Sequence, residues 1–435
     1  LGRNDSWVPR AKTSGGGYGY YRRDRARGAK RLLIGLLVIL VLVGALGAFQ
    51  LLRTPPQPKL TTSISSSQAI AGPAPTLTWP SQGAADVGLE GVGSVGNHGT
   101  KTPIGLASVA KIITALVIIH DHPLAVGAQG PNLTVTPGDV SNYQSMLAAQ
   151  DSVMAVVSGE VLTEYQALEA LLIPSADNVA SLLAQWDAGS ISAFTQKMNQ
   201  MAASLGMKNS KYVDPSGLDS NTAGTAPDQL RAAQALLANP VLAQIVAMPQ
   251  ATLPVAGVVY NVNGLVGHDN ITGVKTGSTP AGGNFVFSGT TTLPANPALP
   301  RSVSSNPQVI GVILGQQGYT PLPTALSAGK ALLDSFRKIP KNIKVINQGA
   351  IVGSISAPGQ SAVSVVTAAS ISLVGWPGLT VRYRVQTLKN LPSSFGSGFK
   401  VGTLTATIGS ESASVNLIVN GSVKAPTIAW RLRRL

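Results

Sequence analysis

The pattern of apolar and polar positions divides the chain before any chemistry is considered. The longest apolar run, Leu32 to Leu52, holds 21 uncharged residues between Arg31 and Arg53. About 20 residues at helical rise cross a bilayer, so this run predicts a transmembrane helix. A second run, Ile112 to Ile119, predicts a buried helix beginning at Ser108 and ending near Asp121. Gly159–Ile173 reads as a further helix, with Thr163 and Gln166 spaced as a capping box. Ser190 is placed to cap another, with Phe194, Met198, Met201 and Leu205 on one face and Gly206 as its stop. Asn284–Thr290 and Val309–Leu314 read as strands, followed by a helix over Pro323–Phe336. Beyond 342 the texture changes. Short Val/Ile/Thr runs (350–356, 362–368, 379–385, 401–408 and 413–419) alternate with Gly, Pro, Ser and Asn, which predicts a small all-β domain.

At 435 residues the chain is too long for one core. The pattern predicts a disordered basic tail over 1–31, a membrane helix over 32–52, and a Pro/Ser/Thr-rich linker over 53–79. A mixed helix and strand domain follows over 80–337, then a β-rich domain over 342–428. With no cysteine, disulfide scaffolds, thiolate metal sites and cysteine nucleophiles are excluded. The net charge of +14 is uneven: +7 over 1–31, −4 over 32–336 and +11 over 337–435. Neither basic end requires nucleic acid. Arg22, Arg23, Arg25, Arg27, Lys30 and Arg31 precede the apolar run, so the positive-inside rule predicts a single-pass anchor with everything after 53 outside the cytoplasm. A signal peptide cleaved near Ala45-Leu46-Gly47 is the competing reading, but a 31-residue front is long for one.

Three short motifs carry candidate chemistry. Ser108 and Lys111 stand at i and i+3, one turn apart on a single helix face, so the amine can reach the hydroxyl. A serine nucleophile needs a base, and a lysine serves only if burial or a second cation lowers its pKa. The bland alternative is a helix start with a capping serine and a snorkelling lysine. Ser175-Ala176-Asp177-Asn178 interrupts a helical region after Pro174, and Lys275-Thr276-Gly277 opens a strand that runs on through Phe287. A hydroxyl and a carboxamide can hold a substrate amide. A lysine and a threonine on a sheet edge can hold a carboxylate, and the glycine lets substrate lie against the backbone.

The order S-x-x-K, S-x-[DN], K-T-G, with the flanks Ala107–Ile112, Leu172–Ser175, Tyr212–Leu218 and Gly273–Gly277, resembles the low-molecular-mass penicillin-binding proteins that act as serine D-alanyl-D-alanine carboxypeptidases. The resemblance covers about 80–336. It implies an α/β (α+β) transpeptidase/β-lactamase-like domain, with an antiparallel sheet and a helical subdomain carrying Ser175, followed by a small β-sandwich. It implies that Ser108 attacks the penultimate D-Ala carbonyl, with Lys111 as base and Ser175 passing the proton to the leaving D-Ala. It implies that Lys275 and Thr276 bind the terminal carboxylate, and that the backbone N–H groups of Ser108 and Ser278 form the oxyanion hole, with Gly277 between. It implies a peptidoglycan stem peptide as substrate, β-lactams as inhibitors and no cofactor.

One position departs from the family. Asp177 stands where members carry Asn, with Asn178 next. Either Asn178 takes the substrate-binding role through a shifted loop, or Asp177 ion-pairs with Lys111 and holds it protonated. Class A β-lactamases deacylate with a Glu between the second and third motifs; here no Glu lies between Glu169 and Glu411, which predicts slow deacylation of penicillin. A D,D-endopeptidase uses the same chemistry. A catalytically weak wall-binding scaffold, its basic C-terminal end docked on anionic wall polymers, is the reading from another class. His120-Asp121-His122 reads as a helix terminus rather than a metal site, and Arg431-Leu432-Arg433-Arg434 as too short for a dependable amphipathic anchor.

Overall fold

The structure, a computed structural model, describes residues 20–280, 282–293 and 307–434. It opens with one long helix, Tyr20–Leu52, whose segment Gly28–Leu52 is long and apolar enough to cross a membrane and is exposed from Gly28 to Leu46. The helix runs twelve residues further toward the N-terminus than the apolar run. Arg, Ala and Lys are good helix formers, and they extend a helix that the apolar run has already nucleated. The disorder expected over 1–31 is thus replaced by helix from Tyr20, and its first nineteen residues lie outside the described residues.

The middle of the chain is built on an antiparallel sheet. Its strands run in the order Ile271–Thr279, Gly282–Thr290, Gln308–Gln316, Ala84–Leu89 and Gly93–Ser94, with His98–Gly99 also pairing Ala84–Leu89. Strand alternation sends side chains to two cores on opposite faces. Val274, Val286, Ile310, Val312 and Leu314 face a cluster of helices that includes Lys111–Asp121, Glu164–Leu172, Asp177–Ala188, Ile191–Ser204 and Ala226–Ala238. Phe285, Phe287, Val309 and Ile313 face the helix Pro321–Phe336. Two glycines admit those rings: a Cβ on Gly311 would stand 2.1 Å from the Phe287 ring, and one on Gly329 would stand 2.5 Å from the Phe285 ring.

Caps are legible where they occur. Thr163 and Gln166 form the reciprocal capping box, and Ser190 accepts from the Ala193 N–H. The helix expected over Gly159–Ile173 instead begins at Glu164, because Val161–Thr163 pairs as a strand with Asn132–Thr134.

The C-terminal domain is a seven-stranded antiparallel sheet with the pair Lys341–Ile346 and Ile371–Gly375 packed beside it. Phe336 and Trp376 meet edge to face at 5.5 Å, joining this domain to the helix that precedes it. The segment expected to be a free linker is part of this sheet. Lys59–Thr62 pairs Ile351–Ser356 at one edge, and Ser67–Ala69 pairs Thr380–Thr387 at the other. Less than about 20 Å of chain joins these two strands, so the sheet must curl until its edges meet. The outermost strands of the sheet are thus very short, four and three residues, and short edge strands are poor templates for unwanted pairing. Proline and serine composition suggested a spacer, but strand pairing across some 290 residues leaves no local signature.

Glu164 is fully buried in the helical subdomain, and neither carboxyl oxygen has a hydrogen-bond partner. Burial raises its pKa from 4.5 to about 7, and burial does the same to Glu169. A carboxyl whose folded pKa is raised favours the folded state below its unfolded pKa, and that contribution is lost as pH rises through the folded value. Wild-type protein should therefore lose thermal stability between about pH 4.5 and 7. Glu164→Gln should match wild type near pH 4.5 and melt higher at pH 7.5. Thermal melts across that range check this, and a parallel pair of profiles would refute it.

Candidate active site

The site begins at a short 3-10 turn, Ala107–Ala110, that feeds directly into the helix Lys111–Asp121. Ala107 has φ +48°, a left-handed conformation costly for a residue with a Cβ. The turn is held in place by close neighbours. A Cβ on Gly217 would overlap the Ala107 carbonyl at 1.8 Å, and one on Gly277 would stand 2.8 Å from the Leu106 oxygen and 3.2 Å from the Ser108 nitrogen. Only glycine lets these two segments approach Ser108 so closely.

Ser108 is half-buried, and Lys111 beneath it is fully buried. The Lys111 Nζ has four acceptors around it: Ser108 Oγ at 2.7 Å, Ser175 Oγ at 3.3 Å, Asp177 Oδ1 at 2.5 Å and the Ser216 carbonyl at 3.4 Å. Burial pushes the Lys111 pKa down, and the Asp177 carboxylate works against that. Burial likewise raises Asp177, with Lys111 opposing. Desolvation thus disfavours the charged form of each partner, and their mutual attraction opposes it.

Ser175 sits at φ +68° between two helices, which turns its hydroxyl back toward Lys111. Asp177 opens the helix Asp177–Ala188, and its second oxygen accepts from the Ser152 N–H at 3.2 Å. Asn178 points elsewhere: its carboxamide donates to the Met154 carbonyl at 2.9 Å and accepts from the Met154 N–H at 3.0 Å. Of the two arrangements open to the swapped pair, the structure contains the ion pair. The Asn178 side chain holds the 152–154 segment rather than facing the cleft.

Lys275, Thr276, Gly277 and Ser278 lie on Ile271–Thr279, the strand at the free edge of the central sheet. Lys275 is 2% exposed, and its Nζ donates to the Thr276 carbonyl at 3.2 Å. No carboxylate salt bridge reaches it among the described residues. Burial, followed by repulsion from Lys111, holds its pKa well below the usual lysine value. Thr276 is buried beside it, and Ser278 is exposed at the rim.

Several residues that build the site carry no motif of their own. Asp214 accepts from the N–H groups of Ser216, Gly217 and Leu218 at 3.2, 2.7 and 3.0 Å, closing the turn that aims the Ser216 carbonyl at Lys111. The Tyr212–Leu218 flank marks this turn in the sequence without revealing its task. Thr114 Oγ1 donates to the Pro215 carbonyl at 2.6 Å and ties the same turn to the Lys111 helix. Asn284 is buried; it donates to the Gly105 and Leu106 carbonyls, both at 2.9 Å, and accepts from the Gly315 N–H at 2.8 Å. It therefore fastens the sheet to the approach to Ser108. His120 and His122 bind Asp121 and Asp187, and Lys197 bridges those two carboxylates, so this group is a surface ion network between helices.

A half-exposed serine bonded to a buried lysine, beside a second buried lysine on a free strand edge, is an arrangement that can support serine-nucleophile chemistry, and the domain around it shares the fold of solved penicillin-binding proteins. The penicillin-binding protein 5 structure of Haemophilus influenzae aligns over 81% of this chain and all of its own, with a TM-score of 0.55 at 19% identity. A penicillin-binding protein 3 from Streptococcus pneumoniae aligns over 80% of this chain, at the same TM-score and 21% identity. Residues 95–296 match the model of the Peptidase_S11 family, described as D-alanyl-D-alanine carboxypeptidase. It is 36% identical over 151 residues to the D-alanyl-D-alanine carboxypeptidase DacB2 of Mycobacterium tuberculosis, covering 34% of this chain and 47% of that one. It is 31% identical over 195 residues to a D-alanyl-D-alanine endopeptidase of Pseudomonas aeruginosa, covering 43% of this chain and 60% of that one. The chain thus spans about half the length of these curated relatives.

Replacing Asn284 by Ala leaves two carbonyls and one N–H without their buried partner. Orphaning such groups costs on the order of 1–3 kcal/mol. Chemical denaturation should show a loss of that size, and an unchanged midpoint would show that Asn284 fastens nothing.

Proposed function

We propose that this protein is a serine-type D-alanyl-D-alanine carboxypeptidase that removes the terminal D-Ala from peptidoglycan stem peptides. The observation that carries the reading is the pairing of a lysine-bonded Ser108 hydroxyl with Lys275, a buried lysine with no carboxylate partner among the described residues. A peptide ending in a free carboxylate fits: laid along the open edge of Ile271–Thr279 as an added strand, it brings its carboxylate to Lys275 and Thr276. That carboxylate supplies the counter-ion Lys275 lacks and favours its charged form.

The roles then follow. Neutral Lys111 takes the Ser108 proton as Oγ attacks the penultimate carbonyl. The N–H groups of Ser108 and Ser278 receive the developing oxyanion. Lys111 passes a proton through Ser175 to the leaving D-Ala nitrogen, and water then hydrolyses the acyl-enzyme. Penicillin enters the same path, and the lack of any Glu between Glu169 and Glu411 favours a long-lived adduct. The Gly28–Leu52 helix anchors the enzyme in the cell membrane with this domain outside the cytoplasm. The +11 charge over 337–435 suits contact with anionic wall polymers. The endopeptidase named among the relatives supports a second activity, cleavage of D,D-cross-links by the same residues.

The decisive test is intact mass after incubation with penicillin, beside D-Ala release from a D-Ala-D-Ala-terminated pentapeptide. A stable adduct and D-Ala release, both absent in Ser108→Ala, are expected. An adduct with no D-Ala release, together with cleavage of cross-linked dimers, would transfer the assignment to the endopeptidase. No adduct at all would remove Ser108 from its role.

Asp177 sets the pH at which Lys111 becomes a base. Its carboxylate favours the ammonium, so Asp177→Asn lowers the Lys111 pKa further. The acidic limb of the acylation profile, where the base is protonated, should move to lower pH, and D-Ala release at neutral pH should rise several-fold. A limb that stays in place, or a lower neutral rate, would show that Asp177 does not govern the base.

A further inference from the structure

The apolar run of the first helix stops at Leu52, so backbone from about 50 to 54 lies at headgroup depth wherever that helix spans a membrane. The last turn of any helix leaves carbonyls without intrahelical partners. Here they are met by the far end of the chain. Arg434 donates from Nη2 to the Gln50 carbonyl at 3.2 Å and to the Arg53 carbonyl, and from Nη1 to the Thr54 carbonyl at 3.2 Å. Arg431 donates to the Arg53 carbonyl at 3.5 Å. Both belong to the C-terminal helix Ile428–Arg433 or its cap, and Leu432 of that helix packs against Gly47. The basic end that looked too short to anchor anything is therefore a clasp on the membrane helix. Cations there also suit the negative end of the helix dipole.

The clasp leaves an imbalance. Arg53 and Arg431 each lie close enough to Arg434 to repel it, and no Asp or Glu is paired with any of the three among the described residues. Among the described residues, the buried Nε donors of Arg431 and Arg434 have no acceptor, and the buried Gln50 Oε1 acceptor has no donor. Trp430 lies under the Arg434 guanidinium at 5.7 Å, an aromatic ring placed where the membrane interface favours one.

We propose that this three-arginine cluster is a binding site for the phosphodiester of an anionic phospholipid whose headgroup carries hydroxyls. The phosphate oxygens accept from the orphaned Nε donors in charge-assisted hydrogen bonds, which guanidinium groups make well to phosphate. A headgroup hydroxyl donates to Gln50 Oε1. The lipid seals the clasp, so the curled C-terminal sheet sits against the membrane rather than swinging on a tether. The proposal rests on reading Gly28–Leu52 as a membrane span.

The test uses the full chain reconstituted in nanodiscs of phosphatidylcholine mixed equally with phosphatidylglycerol, with native mass spectrometry reading the lipids retained after release. Wild type should keep phosphatidylglycerol at least tenfold over phosphatidylcholine, and Arg431→Gln/Arg434→Gln should lose that preference while still forming its penicillin adduct at the wild-type rate. Equal retention of the two lipids by wild type, or undiminished retention by the variant, would overturn the site. Loss of the preference in millimolar inorganic phosphate would assign the cluster to free phosphate and equally overturn the lipid. The span is checked apart from these: alkaline carbonate that strips wild-type protein from vesicles would sink the membrane reading itself.

Discussion

Everything in the central domain depends on keeping the Lys111 amine out of water. An amine with no solvent contact must find its hydrogen bonds inside the protein, and four acceptors from three stretches of chain supply them. The left-handed Ala107 and Ser175 and the Asp214 turn all serve that end. Residues in left-handed backbone persist only where surrounding structure over-determines them. Here Gly217 and Gly277 press on one side of Ser108, and the Asn178 carboxamide fixes the 152–154 segment on the other. With the first turn so constrained, the hydroxyl and amine are held at 2.7 Å without help from a bound substrate. Such preorganisation lets a weak nucleophile work without reorganisation cost at the moment of reaction.

The charges around that amine are unequal. Two buried lysines share one buried carboxylate, and Asp177 is committed to Lys111. A fully charged trio would carry an uncompensated cation in low dielectric, so the three groups together favour losing one proton. In the proposed function an incoming carboxylate reverses this balance at Lys275, which would make recognition of the peptide's end and the protonation of the site one equilibrium. The Asp at position 177 shifts that balance relative to an Asn, because it stabilises the ammonium on Lys111 and is not shared with Lys275.

How much of this could be read from the chain depended on range. The spacing of Ser108 and Lys111 survives although the first turn is 3-10 rather than α, because both geometries keep i and i+3 on one face. The capping box at Thr163 and Gln166 and the Ser190 cap are three-residue interactions, and they were legible. Position 177 was ambiguous for a physical reason: a one-residue choice in a loop decides whether Asp or Asn faces the lysine, and that choice is made by the Met154 backbone, some two dozen residues earlier. Asn284 carries no pattern, since its task is defined only by carbonyls nearly 180 residues away. The strands at 59–69 were hidden in the same way, behind a composition that suits a spacer equally well.

Those hidden strands change what the C-terminal domain is. Because Lys59–Thr62 and Ser67–Ala69 are its two outermost strands, the domain cannot form its complete sheet without the chain that follows the first helix. Six residues separate Leu52 from Lys59, too few to act as a long tether. The Phe336–Trp376 contact then fixes the central domain to that sheet. First helix, β domain and the Ser108 site form a chain of direct contacts, so the distance of Ser108 from the Gly28–Leu52 helix is set by folded structure rather than by a tether. If that helix spans a membrane and Ser108 acts as proposed, the same contacts fix the height at which substrate must be presented, and geometry joins the chemistry of Lys275 in setting selectivity.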